Sequence, residues 1–141
     1  MNDVEFLTAF EECTLTPADW THEAHVRMAW LYLTQYDYEP ALRFIRSGIQ
    51  HLNARVLKKD LAYHETITVA FARLIESTRR MLPAKHTLSD LKLHAPDLFD
   101  RQLSAVVKYY SRDRLFSNEA RSSWIEPDLA PLPIFRRTDP T

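Results

Sequence analysis

Glycine is almost absent from this sequence, because Gly48 is the only one among 141 residues. The tight hairpins of β-rich folds usually need residues that accept a positive φ angle, which glycine does most readily. The composition therefore argues against a β-rich fold and favours helices. Since a glycine inside a helix costs about 1 kcal/mol relative to alanine, we expect Gly48 to mark the close approach of a neighbouring helix.

Cysteine and long apolar runs are also scarce. Cys13 has no second cysteine with which to form a disulfide in the chain, and this favours a reducing, cytoplasmic location. The longest unbroken apolar run is Met28 to Leu33, and the amino-terminal stretch is acidic, whereas a signal peptide begins with basic residues. We therefore expect neither a signal peptide nor a membrane-spanning segment.

Neither charge sign is in large excess, since 18 Lys and Arg residues oppose 19 Asp and Glu residues. Nucleic acids and anionic membranes attract strongly basic surfaces, so we predict neither as a partner. The length and the 45% apolar content suit one domain with one core. We predict a single helical domain over residues 1–135 and a loose end over residues 136–141.

Apolar periodicity predicts an all-α fold, a helical bundle of four to five main helices with additional short helices. Asp3 and Thr21 are the expected caps of the first two helices. The first main helix is expected to end near Cys13 and the second near Gln35, and the third to begin near Pro40. The fourth should run from about Tyr63 to Arg80, and the fifth from about Asp97 to Ser111. The tail from residue 125 onward contains four prolines and cannot be helical, but its apolar residues predict that most of it lies extended across the body.

Two histidine motifs lie on the predicted second and fourth helices. In WTHEAHVRMAWLYL, His22 and His25 fall on the apolar side when successive residues are placed about 100° apart. In YHET, His64 falls on the apolar side by the same measure, and so does Thr68 one turn later. Short connections favour antiparallel neighbours, so all three histidines are expected at one end of the bundle.

Three converging imidazoles predict a site for a divalent transition metal such as zinc, nickel or iron, with an open position for water or substrate. Its expected ligands are His22, His25 and His64. In the same pocket Glu65 would orient a metal ligand, Thr68 and Tyr110 would hydrogen-bond a substrate, and Arg121 would hold an anionic group. The full predicted ligand-binding set is His22, His25, His64, Glu65, Thr68, Tyr110 and Arg121.

The residues also allow other roles. The histidines can line a small-molecule pocket that holds no metal, or they can be buried and hydrogen-bonded in a purely structural role. Arg121 can pair with Glu126 or Asp128 instead of binding a ligand. The sequence therefore favours a small-molecule-binding protein or metal-dependent enzyme, with a non-catalytic interaction module or homodimeric scaffold as the alternative.

Four separated motifs, THEAHVRMAWLYL, YHETITVAF, YYSRDRLFSNEARSSW and EPDLAPLP, together resemble those of a family of small bacterial all-helical proteins. The resemblance covers Trp20 to Pro133. It implies a domain that stands alone or is fused to enzymes, and it supplies no reaction. The residues to which it draws attention are His22, His25, His64, Glu65, Ser111, Arg121 and Asp128. A looser architectural analogy connects the three histidines with four-helix proteins that hold nickel or zinc.

Overall fold

A computed structural model describes residues 1–58 and 63–135 of the chain. These residues form α-helices, short helical turns and connecting segments, and no β-strand occurs among them, so the predicted all-α class is confirmed. The contacts divide the chain into two compact units, Met1–Tyr63 and His64–Thr141. None of the helices in the described residues is long and apolar enough to cross a membrane.

The first unit is formed by α1 (Asp3–Glu11), α2 (His22–Gln35) and α3 (Tyr38–Leu52), each of which packs on the other two. A π-helical turn, Asn53–Leu57, follows α3. It ends at Lys58, whose φ angle of 52° is left-handed and cannot continue the helix. The core of this unit is mainly apolar side chains of α2, joined by smaller groups from α1 and α3.

Polar caps determine where the first two helices begin. Thr21 caps α2 as predicted, because its side chain accepts a backbone N–H bond at 3.1 Å. The prediction that Asp3 caps α1 is wrong. Asn2 caps this helix instead in a capping box, in which its side chain accepts the backbone N–H of Glu5 and the Glu5 side chain accepts the backbone N–H of Asn2. Asp3 is the first helical residue and pairs with Arg27 of α2 at 2.8 Å.

The close approach predicted at Gly48 is present between α3 and α1. A Cβ atom at this position would lie 2.4 Å from Cε2 and 2.5 Å from Cζ of Phe10. Phe10 belongs to α1 and its side chain is only 1% exposed. The missing side chain of Gly48 therefore lets the Phe10 ring reach the backbone of α3, and the expectation is confirmed.

The second unit is arranged around α4, Glu65–Met81. The elements that follow are α5 (Leu88–His94), a 3₁₀ turn (Pro96–Phe99), α6 (Ser104–Val107), α7 (Arg112–Leu115) and α8 (Asn118–Ser122). The helices α5, α6 and α8 and the 3₁₀ turn pack on α4, and α7 packs on α8. The helix α4 is thus the scaffold that positions the residues of the second histidine motif.

The prediction of a fifth main helix from Asp97 to Ser111 is wrong, because this stretch contains only the 3₁₀ turn and the single-turn helix α6. Leu103 has a φ angle of 65°, a left-handed conformation that interrupts a right-handed helix. Just before it, the Asp100 side chain accepts a hydrogen bond from the N–H of Gln102 at 3.0 Å, which stabilises a turn.

No helix forms between residues 123 and 135. Ile125 and Leu132 are buried, whereas Leu129 and Ile134 are exposed. The N–H of Leu129 donates to the carbonyl oxygen of Tyr109 at 2.9 Å, which fixes the middle of this segment within the second unit. The predicted loose end, residues 136–141, lies outside the described residues.

Candidate functional site

The amino end of α2 brings His22 and His25 together. They are the first and fourth residues of the helix, directly after the Thr21 cap, and this spacing places them on one face. Their ring centroids are 6.5 Å apart and the ring planes differ by 22°. Both side chains are half-buried. The first histidine motif therefore forms a local imidazole pair at a helix terminus.

The orientation and the tautomer of His25 are fixed by a backbone contact. Its Nδ1–H donates to the carbonyl oxygen of Thr21 at 2.7 Å. Because a carbonyl can only accept, the neutral ring carries its proton on Nδ1 and its lone pair on Nε2. Burial lowers the pKa of His25 to about 4, the Thr21 carbonyl opposes this shift and His22 adds to it. At neutral pH His25 is uncharged, and none of the described residues bonds to its Nε2.

Trp20 packs against His25, with an angle of 31° between the ring planes, and contributes a buried hydrogen-bond donor. The centroids of the two rings are 3.8 Å apart, and the ring of Phe10 stacks on Trp20 at 5.3 Å. Trp20 is 8% exposed, and its Nε1–H has no acceptor among the described residues. A buried N–H without a partner costs about 1–3 kcal/mol. An acceptor atom that reached this group would therefore be bound favourably.

His64, in the second unit, is bonded through both ring nitrogens. It is the N-cap of α4, where its Nδ1 accepts the N–H of Ile67 at 3.1 Å. Its Nε2–H donates to the carbonyl oxygen of Leu115 at 2.7 Å. Burial lowers the pKa of His64, the bond to Leu115 opposes this effect and the charge of Arg121 adds to it. In this conformation neither nitrogen offers a lone pair to a metal ion.

Thr66, in the first turn of α4, holds the chain that follows α8. Its buried Oγ1 donates to the carbonyl oxygen of Ser123 at 2.8 Å and accepts the N–H of Ile125 at 3.3 Å. The buried hydroxyl of Tyr110 donates to the carbonyl oxygen of Ile125 at 2.6 Å. These contacts satisfy the N–H and the carbonyl of Ile125, a buried residue whose backbone groups would otherwise be without partners. The YHET motif and Tyr110 therefore anchor this part of the chain.

A second group of polar contacts holds the EPDL segment. The carboxylate of Asp128 accepts the Oγ–H of Ser111 at 2.6 Å and its N–H at 2.8 Å, and these bonds lower the pKa of Asp128. The Nε of Arg114 donates to the carbonyl oxygen of Glu126 at 2.6 Å. Ser111 is also the N-cap of α7. The EPDL segment is thus tied to the beginning of α7 by Ser111 and Arg114.

The remaining predicted site residues all lie in the second unit. Thr68 uses its hydroxyl to donate to the carbonyl oxygen of His64 at 2.8 Å. Burial raises the pKa of Tyr110 to about 12, with a smaller contribution from nearby Glu126. Glu65 is half-buried at the first position of α4, and Arg121 is exposed on α8.

Within residues 1–58 and 63–135, no three or more His, Cys, Asp or Glu side chains are grouped so that they could hold a metal ion. The second unit also has an open cleft of about 400 Å³. None of the predicted site residues lines this cleft, which is formed by Leu82, Pro83, Asp90, Leu93 and His94. Among the predicted site residues, the imidazole pair of α2 is therefore the group best suited to bind a ligand.

The place of Trp20 beside His25 was not predicted from the sequence. A signal was present, because Trp20 directly precedes the Thr21 cap, a position from which a large side chain often folds back onto the first helical turns. No comparable signal identified Phe10 as the neighbour of Trp20. Comparisons of the chain with protein-family models, curated proteins and solved structures find no match.

Proposed function

We propose that the protein binds a small polar molecule at the amino end of α2, with His25 and Trp20 as the recognition groups. The observation that carries this proposal is the neutral imidazole of His25, whose Nδ1 is occupied by Thr21 while no described residue bonds to its Nε2. Nε2 accepts a hydrogen bond, and the indole N–H of Trp20 donates one. Because the two rings are in contact, a small molecule bound at Nε2 would lie beside the indole, whose buried N–H it would reach after a local displacement of the ring.

Electrostatics at this end of α2 favour a neutral or anionic ligand group over a cation. The amino end of a helix is the positive end of its dipole, and its first N–H groups have no acceptor within the helix. The burial that lowers the pKa of His25 also opposes the binding of a metal ion, because a proton and a metal ion both add positive charge to a desolvated ring. A hydroxyl or carboxamide group therefore fits better than a divalent metal held by His22 and His25.

The second histidine motif has a structural role in this proposal. His64, Thr66 and Tyr110 all bond to backbone groups of the chain between residues 115 and 125. These contacts support a function in stabilising the second unit. Substitutions in this motif are then expected to change stability while the ligand affinity of the folded protein stays the same.

Ligand-detected NMR with matched compounds tests the proposal. The panel consists of small alcohols and carboxamides, each paired with an O-methylated or N,N-dimethylated analogue that lacks the donor. We expect compounds with a donor to bind and their methylated analogues to bind more weakly, because Nε2 of His25 needs a donor. His25→Phe should abolish binding, whereas His51→Ala, at an exposed position of α3, should not. Equal binding to His25→Phe and the unmodified protein would contradict the proposal.

A non-catalytic interaction module is the second candidate, and an aromatic surface on the first unit supports it. Tyr36 and Phe44 are 45% and 41% exposed, and their ring centroids are 4.9 Å apart. Exposed aromatic side chains are enriched at protein interfaces. Light scattering over a range of concentrations tests for a homodimer, which Phe44→Ser should dissociate. A protein that stays monomeric at all concentrations would remove the homodimer form of this candidate.

A further inference from the structure

We propose that Gly48 is a positioning residue for His25 and acts through two intervening aromatic rings, Phe10 and Trp20. Its functional meaning rests on the proposed ligand site at the amino end of α2. The contacts that connect Gly48 to His25 lie entirely within the first unit. They join the only glycine of the chain to the imidazole that would receive the ligand.

The first link is the contact between Gly48 and Phe10. A Cβ atom at position 48 would lie 2.4 Å and 2.5 Å from two ring atoms of Phe10, closer than such atoms approach in real structures. The Phe10 ring is buried and also meets the edge of Tyr32, with 6.3 Å between centroids. The packing around the Phe10 ring therefore restricts its movement, and any side chain at position 48 must displace the ring.

The second link passes from Phe10 through Trp20 to His25. Phe10 stacks on Trp20 with a centroid distance of 5.3 Å and an angle of 28° between ring planes. Trp20 in turn contacts His25 with 3.8 Å between centroids. Since Nδ1 of His25 is held by the backbone, a displacement of Phe10 changes the position of the indole against a tethered imidazole. The space at Gly48 thereby determines the relative position of the Trp20 and His25 rings that would contact a ligand.

The NMR resonances of the His25 ring protons report on this arrangement, because a ring in contact with an indole shows a large ring-current shift. We expect Gly48→Ala to remove most of that shift, although alanine is the better helix former. Ser47→Ala is the matched control at the neighbouring exposed position of α3 and should leave the shift unchanged. The ring resonances of His64, in the second unit, should not move in either variant.

Phe10→Leu provides a route to the same result without a clash, and it keeps the test decisive if Gly48→Ala does not fold. It should also remove the His25 shift. In the Phe10→Leu background, Gly48→Ala should have little further effect, because the smaller side chain leaves space for the added methyl group. An unchanged His25 shift in Phe10→Leu, or fully additive effects in the double variant, would overturn the proposal.

This outcome is separate from that of the proposed ligand site. If no compound of the panel binds to the unmodified protein while the His25 shift still depends on Gly48, the ligand site is refuted and the positioning contact stands. If compounds bind through His25 but the shift is independent of Gly48, the positioning role is refuted and the ligand site stands.

Discussion

Thr66→Val tests whether the first turn of α4 anchors the chain at residues 123–125. Threonine and valine have nearly the same size, so the substitution mainly removes the hydroxyl group that bonds to Ser123 and Ile125. A buried polar group that loses its partner costs about 1–3 kcal/mol. The N–H of Ile125 is in a buried residue, whereas Ser123 is exposed and its carbonyl can turn to water. We therefore expect the free energy of unfolding to fall by about 2–3 kcal/mol.

Thr78→Val is the matched control in the same helix. Thr78 is also buried, but its hydroxyl donates to the carbonyl oxygen of Leu74, which the helix already bonds through the N–H of residue 78. Loss of this hydroxyl leaves no backbone group without a partner, so the free energy of unfolding should fall by less than about 1 kcal/mol. Urea unfolding of both variants measures the difference. Equal losses in the two variants would refute the anchoring role of Thr66.

Three further predictions concern ionisable groups that are buried or half-buried, each measured by urea unfolding. His64→Ala should be less stable than His64→Asn by about 1 kcal/mol, because asparagine retains an acceptor for the helix cap; equal stabilities would argue against the cap. The folded-state pKa of His25 is about 4 and its ordinary value is 6.5, so the unfolded chain binds more protons between these values. Stability should therefore fall by up to about 3 kcal/mol as the pH drops through this window, and His25→Phe should remove this part of the slope. Glu76→Gln should lower the free energy of unfolding by about 2 kcal/mol, because the buried carboxylate bonds to the partly solvated Arg79 and Arg80. The loss should depend little on salt, because salt screens a buried charge only weakly. A loss that disappears in salt would contradict this reason.

Helices with strong local signals were predictable from the sequence. The cap at Thr21 and the periodic apolar face defined α2 because both features act within a few residues. The prediction of the fifth main helix was wrong because the features that interrupt this helix carry no strong local signal. Its apolar spacing is compatible with a helix, but the left-handed Leu103 and the turn at Asp100 interrupt it, and a leucine carries no sequence signal for positive φ.

The candidate site was predictable only where it is local. The pairing of His22 with His25 follows from their spacing on one helix. The role of His64 could not be predicted, because histidine is not among the preferred N-cap residues and its second partner, Leu115, is 51 positions away along the chain. The need for space at Gly48 was predictable from helix propensity, but its partner Phe10 is identified only by the packing of α1 on α3.

The imidazole nitrogen resonances of His25 at neutral pH test the central claim most directly. We predict a neutral ring that is protonated on Nδ1, with an Nε2 resonance that shifts when a donor-bearing compound of the panel is added and returns when its methylated analogue is used instead. A charged ring, a proton on Nε2, or an Nε2 resonance that no compound of the panel moves would contradict the claim that this nitrogen receives the ligand.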